Sequence, residues 1–254
     1  KDLKETVNEL KKIKGKKILI IDNYLNNLTW QKSISNYVDK VVIINDYFNK
    51  NYCDLYINEN FRTKSLKKNI FLKKNCFKLI GLKYSIIGYK KLKKKFTKKN
   101  NIFIFFGGFD QKNLTFKVLK QLRFQKDLFF YVVTNNDYLA ESIKHFGIKN
   151  VNFFSQKKDF YKILKLCNFA ITSGGSTIWD MIYNNIPFIG IPTARNQINN
   201  LNELYKKKII FLYKKRIDLK FEKYFINCLS KKKKIPNLID GMGVKRVIKQ
   251  IQKL

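Results

Sequence analysis

Short apolar runs alternating with amphipathic stretches predict an α/β fold, with doubly wound parallel sheets covered by helices on both faces. Two observations carry this. The apolar runs are continuous rather than alternating, as in strands buried on both faces. Between them, apolar residues recur at helical spacing. The chain has 254 residues and is 45% hydrophobic, enough for one large core or two smaller ones.

The elements follow in order. Leu3, Val7 and Leu10 mark a helix closed by Gly15. "KKILIIDNY" reads as a buried strand, "VDKVVIINDYF" as a second and "CDLYIN" as a short third. "CFKLIGLKYSII" is strand-like and then a loop. The stretch "YKKLKKKFTKKNN" (89–101) is lysine-rich and lacks helical spacing. Residues 93–101 of it are expected to link a domain at 1–92 to a second at 102–254. In the second, strands "IFIFFGG", "LFFYVVT", "VNFF", "FAITS", "PFIGI" and "IIFLY" alternate with helices. Those helices are marked by Leu114/Val118/Leu119/Leu122, by Leu139/Ile143/Phe146, by Phe160/Ile163/Leu164/Cys167, by residues 177–184, by Ile198/Leu201/Leu204 and by Phe221/Phe225/Leu229. A last helix carries Val244, Val247, Ile248 and Ile251, and is expected to return to the first domain. The first domain is of the same Rossmann-like kind but with too few strands. With Lys rather than Met at position 1, this leads to the expectation that an N-terminal segment is missing.

The charge is lopsided: 53 Lys+Arg against 18 Asp+Glu, a net +35. A basic surface attracts phosphates, so a nucleic-acid-binding module is one reading. Only Arg62, Arg123, Arg195, Arg216 and Arg246 are arginines, however, and the lysines are spread along the chain. Lys, Asn, Ile, Phe and Tyr, all with AT-rich codons, are abundant, so codon bias is the better account. A dedicated reader of bases uses more Arg, for bidentate contacts. Cys53, Cys76, Cys167 and Cys228 lie far apart in sequence, and His145 is the one histidine, so no metal site is expected. Cys167 reads as a buried thiol in a helical register, which fits a reducing compartment. No apolar run approaches the ~20 residues of a membrane span, and no signal peptide opens the chain. A cytoplasmic protein without cofactor is expected; oligomeric state is left open.

Three loops at strand ends could do chemistry. Gly107-Gly108-Phe109-Asp110 follows "IFIFF", and paired glycines let a backbone approach a ligand closely. Ser173-Gly174-Gly175-Ser176-Thr177 stands where a helix begins, and free amides there suit a phosphate. A plain N-cap by Ser176 or Thr177 is the competing reading. Asp180, one turn further, could hold two ribose hydroxyls or simply face the helix dipole. Thr193-Ala194-Arg195-Asn196-Gln197 offers amides that suit sugar hydroxyls or a diphosphate. Neither G-x-x-x-x-G-K-[ST] nor G-x-G-x-x-G occurs. Three such loops on one sheet edge favour a nucleotide-sugar site.

The order "FFGGFD", "ITSGGSTIWDMIYNNIPFIGIPTARNQ", "IDGMGVKRV" resembles the UDP-sugar hydrolases of pseudaminic acid biosynthesis, relatives of the glycosyltransferase family 28 C-terminal domain. "IIDNY", "CDLYIN" and "LIGLKYSII" match that family upstream. The resemblance implies a GT-B fold of two Rossmann-type domains. It implies that water displaces UDP from UDP-diacetamido-trideoxy-altropyranose, in bacterial surface-glycan or flagellin sugar synthesis. It places Gly107 and Gly108 along the cleft, and Gly174, Gly175, Ser176 and Thr177 on the diphosphate. Asp180 takes the position of a ribose-binding Glu. Asn196 and Gln197 would face sugar or diphosphate, and Tyr84 falls in the family's G-x-x-Y loop. The family's catalytic histidine segment, G-x-G-H-x-x-R, does not occur, and Gly88 stands where an arginine is usual. The chain as given is therefore expected to bind UDP but to hydrolyse poorly. A UDP-sugar transferase of the same fold is the alternative.

Overall fold

The computed structural model describes residues 2–46, 50–61, 73–93, 100–154, 156–231 and 233–254. Two compact units emerge: residues 1–89 together with 239–254, and residues 90–238.

The first unit holds a parallel sheet in the order β1-β2-β3-β4, formed by Ile18–Ile21, Lys40–Ile44, Leu55–Asn58 and Phe77–Ile80. The predicted second strand ran on past Ile44; residues 47–49 lie outside the described residues. Successive strand residues face opposite sides, and the core divides accordingly. Val41, Ile43, Cys53, Tyr56 and Cys76 pack together on one face. Helices α1 (Asp2–Lys12) and α2 (Leu28–Ile34) add Val7, Leu10 and Ile34, meeting this cluster through Leu19 and Trp30. On the other face, Val42, Leu55, Ile57 and Leu79 pack against Val247 of the last helix, α9 (Gly243–Ile251). Ile248, assigned to the buried stripe from its spacing, is instead 48% exposed. Asp240 and Arg246 form a bidentate pair, at 2.9 and 2.6 Å, that holds the first turn of α9. Arg246 also donates to the carbonyl of Lys83.

The second unit is a six-stranded parallel sheet. In chain order its strands are β5 (Asn100–Phe105), β6 (Leu128–Val133), β7 (Val151–Phe154), β8 (Phe169–Thr172), β9 (Phe188–Gly190) and β10 (Phe211–Leu212). In space the order is β10-β9-β8-β5-β6-β7. Helices α3 (Leu114–Leu122) and α8 (Leu219–Ser230) cover one face, where Ile102, Ile104, Phe130 and Ile171 meet Val118, Leu119, Phe221 and Phe225. On the other face, Phe160 of α5 (Gln156–Leu164) sets its ring edge-on to Phe103 and Phe105, at 5.3 and 5.5 Å. Helices α4 (Asp137–His145), α6 (Thr177–Tyr183) and α7 (Arg195–Lys206) complete the alternation.

Several boundaries differ from the sequence reading. Residues 94–99 of the expected linker lie outside the described residues, and Asn100 and Asn101 already belong to β5. Asn101 joins the strand with its side-chain NH2 group donating to the Leu166 carbonyl at 2.9 Å. Cys167 is buried but follows the end of α5 rather than extending its stripe. Ile198 is 39% exposed, since α7 turns Leu201 and Leu204 inward. "IIFLY" contributes only Phe211 and Leu212 to the ladder. All four cysteines are buried and free. Cys53 and Cys76, 23 positions apart, lie with sulfurs 3.7 Å from each other. The Cys76 hydrogen bond, and then burial, push the Cys53 thiol well above its ordinary range.

Candidate functional site

The topology of the second unit fixes where a ligand can enter. The chain starts in mid-sheet at β5, steps outward to β6 and β7, then returns to lay β8 on the other side of β5. Strand order reverses between β5 and β8. In open α/β sheets the crevice at the carboxyl ends of such strands is the ligand site. The two glycine-pair loops follow these two strands, and the third polar loop follows β9, the next neighbour.

In the first loop Gly107 has φ +89°, a conformation that glycine adopts without strain, and a Cβ there would meet nothing within 4 Å. Gly108 turns its carbonyl to the amide of Asn135 at 2.9 Å. Asp110 is buried, and its carboxylate accepts from the amides of Leu114 (3.0 Å) and Thr115 (2.7 Å). This candidate ligand residue thus anchors the start of α3, where amides lack helical partners.

The second loop separates the roles of its two glycines. A Cβ on Gly174 would stand 2.8 Å from Gln197 Cβ and from Leu201 Cγ and Cδ1. Gly174 is therefore required by the packing of α7. A Cβ on Gly175 would meet only Ser173 Oγ, at 3.9 Å. Gly175 faces open space. Ser173 is buried and its amide donates to the Phe105 carbonyl at 3.3 Å. Among the described residues, the amides of Gly175, Ser176 and Thr177 donate to no protein acceptor. Ser176 has helical backbone angles and makes no side-chain cap bond, so the plain N-cap reading fails there. Thr177 is buried and Ser176 exposed. Asp180, half-buried on α6, accepts at its backbone carbonyl from Asn184. Burial, and then Asp180's charge, raise the pKa of Tyr161 on α5.

The third loop ties the others together. The side-chain carbonyl oxygen of Gln197 accepts from the amide of Gly174 (3.1 Å), the amide of Thr193 (2.9 Å) and the hydroxyl of Thr193 (3.0 Å). Its NH2 group carries two further donors. Lys112 of the first loop donates from Nζ to the carbonyl of Thr193. One chain of hydrogen bonds, Lys112–Thr193–Gln197–Gly174, therefore runs through all three loops. Asn196 is half-buried in the first turn of α7, beside exposed Arg195. That turn holds no acidic residue, although acidic groups are the ones a helix N-terminus favours.

Tyr84, the remaining candidate, belongs to the first unit, in a 3₁₀ turn at Leu82–Tyr84. Its ring packs in the cluster with Leu79 and Val247, and Lys83 Nζ sits 4.9 Å from the ring centroid. His145 is exposed in the last turn of α4. Sequence reasoning missed Lys112 and Leu201 as members of the site. Lys112 gave one signal, its place just after the glycine pair, but it was absorbed into a chain-wide excess of lysine.

The switch-point crevice, with its open glycines and unbonded amides, belongs to a GT-B-like fold of the Rossmann type. The chain belongs to the glycosyltransferase family 28 C-terminal domain family, whose model matches residues 101–250. It is 26% identical over 215 residues to the UDP-2,4-diacetamido-2,4,6-trideoxy-beta-L-altropyranose hydrolase of Campylobacter jejuni, covering 83% of this chain and 78% of that one. Among solved structures it is similar to Acinetobacter baumannii MurG, with TM-score 0.66, 12% identity, and coverage of 99% and 77%. It is also similar to the S. aureus MnaA–UDP co-structure, with TM-score 0.63, 9% identity, and coverage of 99% and 78%. The chain is thus related to enzymes that process nucleotide sugars. Among the described residues no helix is long and apolar enough to cross a membrane.

Proposed function

We propose that the second unit binds the UDP part of a UDP-sugar across the β5/β8 switch point. The observation that carries this is the run of three amides at Gly175, Ser176 and Thr177, which have no protein acceptor among the described residues, with open space at Gly175. Oriented amides in a preformed loop stabilise a diphosphate without reorganising. In this reading Gly107 and Gly175 let the ligand approach, Gly174 and Gln197 hold the loops in register, and Asp180 serves the ribose. The relative from C. jejuni supports hydrolysis as the reaction and UDP-diacetamido-trideoxy-altropyranose as the substrate. Water would displace UDP at the anomeric carbon. The family description favours a second reading, transfer of the sugar to an acceptor, and the fate of the sugar separates the two. Release to water supports the hydrolase; consumption only with an added acceptor supports the transferase.

The binding claim has its own test. Gly175 has ordinary backbone angles and room for a side chain, so Gly175→Val folds but fills the space above the amides. UDP titrated calorimetrically is expected to bind the wild type and to lose at least about tenfold in affinity with the variant, the scale of one or two charge-assisted hydrogen bonds. Equal affinity in a variant with unchanged thermal unfolding removes this loop from the site.

A further inference from the structure

We infer that Lys112 is a catalytic residue, the cation that meets the diphosphate as UDP departs; this rests on the UDP reading above. Lys112 lies two residues beyond Asp110, in the loop that Gly107 and Gly108 open, and its ammonium bridges to the Thr193 carbonyl of the third loop. Thr193 and Gly174 share the Gln197 oxygen at 2.9 and 3.1 Å, so the charge hangs on the same scaffold as the three open amides. An ammonium carries three donors, and the Thr193 carbonyl occupies one of them.

The surroundings favour an anion. Lys112 lines a cavity of about 200 Å³ whose ten lining residues include Lys112, Lys117, Lys214, Lys215 and Arg216 and no carboxylate. Among the described residues these five cations make no ion pair. Lys117 stands behind Lys112, donating to its backbone carbonyl at 2.9 Å. The carboxylate within this loop, Asp110, is turned inward onto the Leu114 and Thr115 amides. Asp218, the N-cap of α8, accepts from the Lys220 amide.

In the reaction a water oxygen bonds the anomeric carbon, the carbon–oxygen bond to the β-phosphate breaks, and its electron pair leaves with UDP. The water's proton passes to solvent. The diphosphate carries roughly two negative charges as the ester and about three once free. A fixed cation therefore binds the departing group more strongly than the substrate, which is the condition for acceleration.

The test compares UDP with uridine on Lys112→Gln and Lys112→Arg, by calorimetry at low salt. Lys112→Gln keeps a donor for Thr193 but loses the charge. It is expected to weaken UDP by about tenfold or more, to leave uridine unchanged, and to be rescued by Lys112→Arg. Unchanged UDP affinity in Lys112→Gln overturns the inference. So do equal losses for UDP and uridine, or failure of Lys112→Arg to restore binding, since either marks a merely structural bridge. A wild type that binds no UDP overturns the UDP reading itself, and this inference with it; a wild type that binds UDP leaves the variants to judge Lys112 alone.

Discussion

At the scale of single residues, the adjacent glycines 174 and 175 do different work. Gly174 is a notch for Leu201, which is fully buried and also lies where a Cβ of Gly190 would be, 2.5 Å from it. Adding a methyl at 174 forces α7 off its seat. Gly174→Ala is expected to lose about 1–3 kcal/mol of stability, the usual cost of overpacking, measured by urea unfolding. If it unfolds like wild type, the loop can yield and the notch is not a constraint. Which glycine serves a ligand and which serves packing was not legible in "SGGST". The distinction depends on Gln197 and Leu201, more than twenty positions away. Gln197 shows the same limit. Its polarity pointed to a ligand, whereas its carbonyl oxygen is taken by Gly174 and Thr193.

At the scale of elements, the strands were legible because a parallel sheet buries both faces and leaves continuous apolar runs. The ends were less so, since pairing rather than hydropathy stops a strand. Ile209 and Ile210 are buried yet lie outside the β9–β10 ladder. The Cys53–Cys76 neighbourhood was invisible for a related reason: it arises from the register of β3 on β4, Leu55 opposite Phe77. Helix α9 shows how an element is seated. A Cβ on Gly243 would lie 2.1 Å from the Ser85 carbonyl oxygen, so the helix starts in contact with the backbone of the first unit. Arg246 beside Asp240, with the Met242 amide, holds the Asp240 carboxyl down at about 2, from an ordinary 3.8. A depressed carboxylate stabilises the fold fully above its unfolded value, and that contribution is lost as pH falls through the folded value. Wild type is therefore expected to melt higher than Asp240→Asn above about pH 4. The gap should close between the ordinary value of 3.8 and about 2. A gap independent of pH from 2 to 6 would mean that the pair contributes no linkage.

At the scale of the whole molecule, the +35 charge is met by few compensating contacts. Of the five ion pairs among the described residues, three join helix neighbours three positions apart, the exposed kind that adds little. Self-repulsion therefore opposes the folded state, and salt screens it over a Debye length of about 10 Å at 0.1 M. Raising sodium chloride from about 0.05 to 0.5 M is expected to raise the melting temperature by several degrees. A flat or falling melting curve would mean that the charges are spaced widely enough not to interact. The chain also visits the first unit twice, before Lys90 and again from Ile239. Synthesis proceeds from one end, and domains ordinarily mature in that order. Here the middle segment is complete as soon as Leu238 clears the ribosome. The earlier-made sheet waits for α9, because Val247 supplies part of the covering for Val42, Leu55 and Ile57. Of the two units, the one begun earlier is completed later.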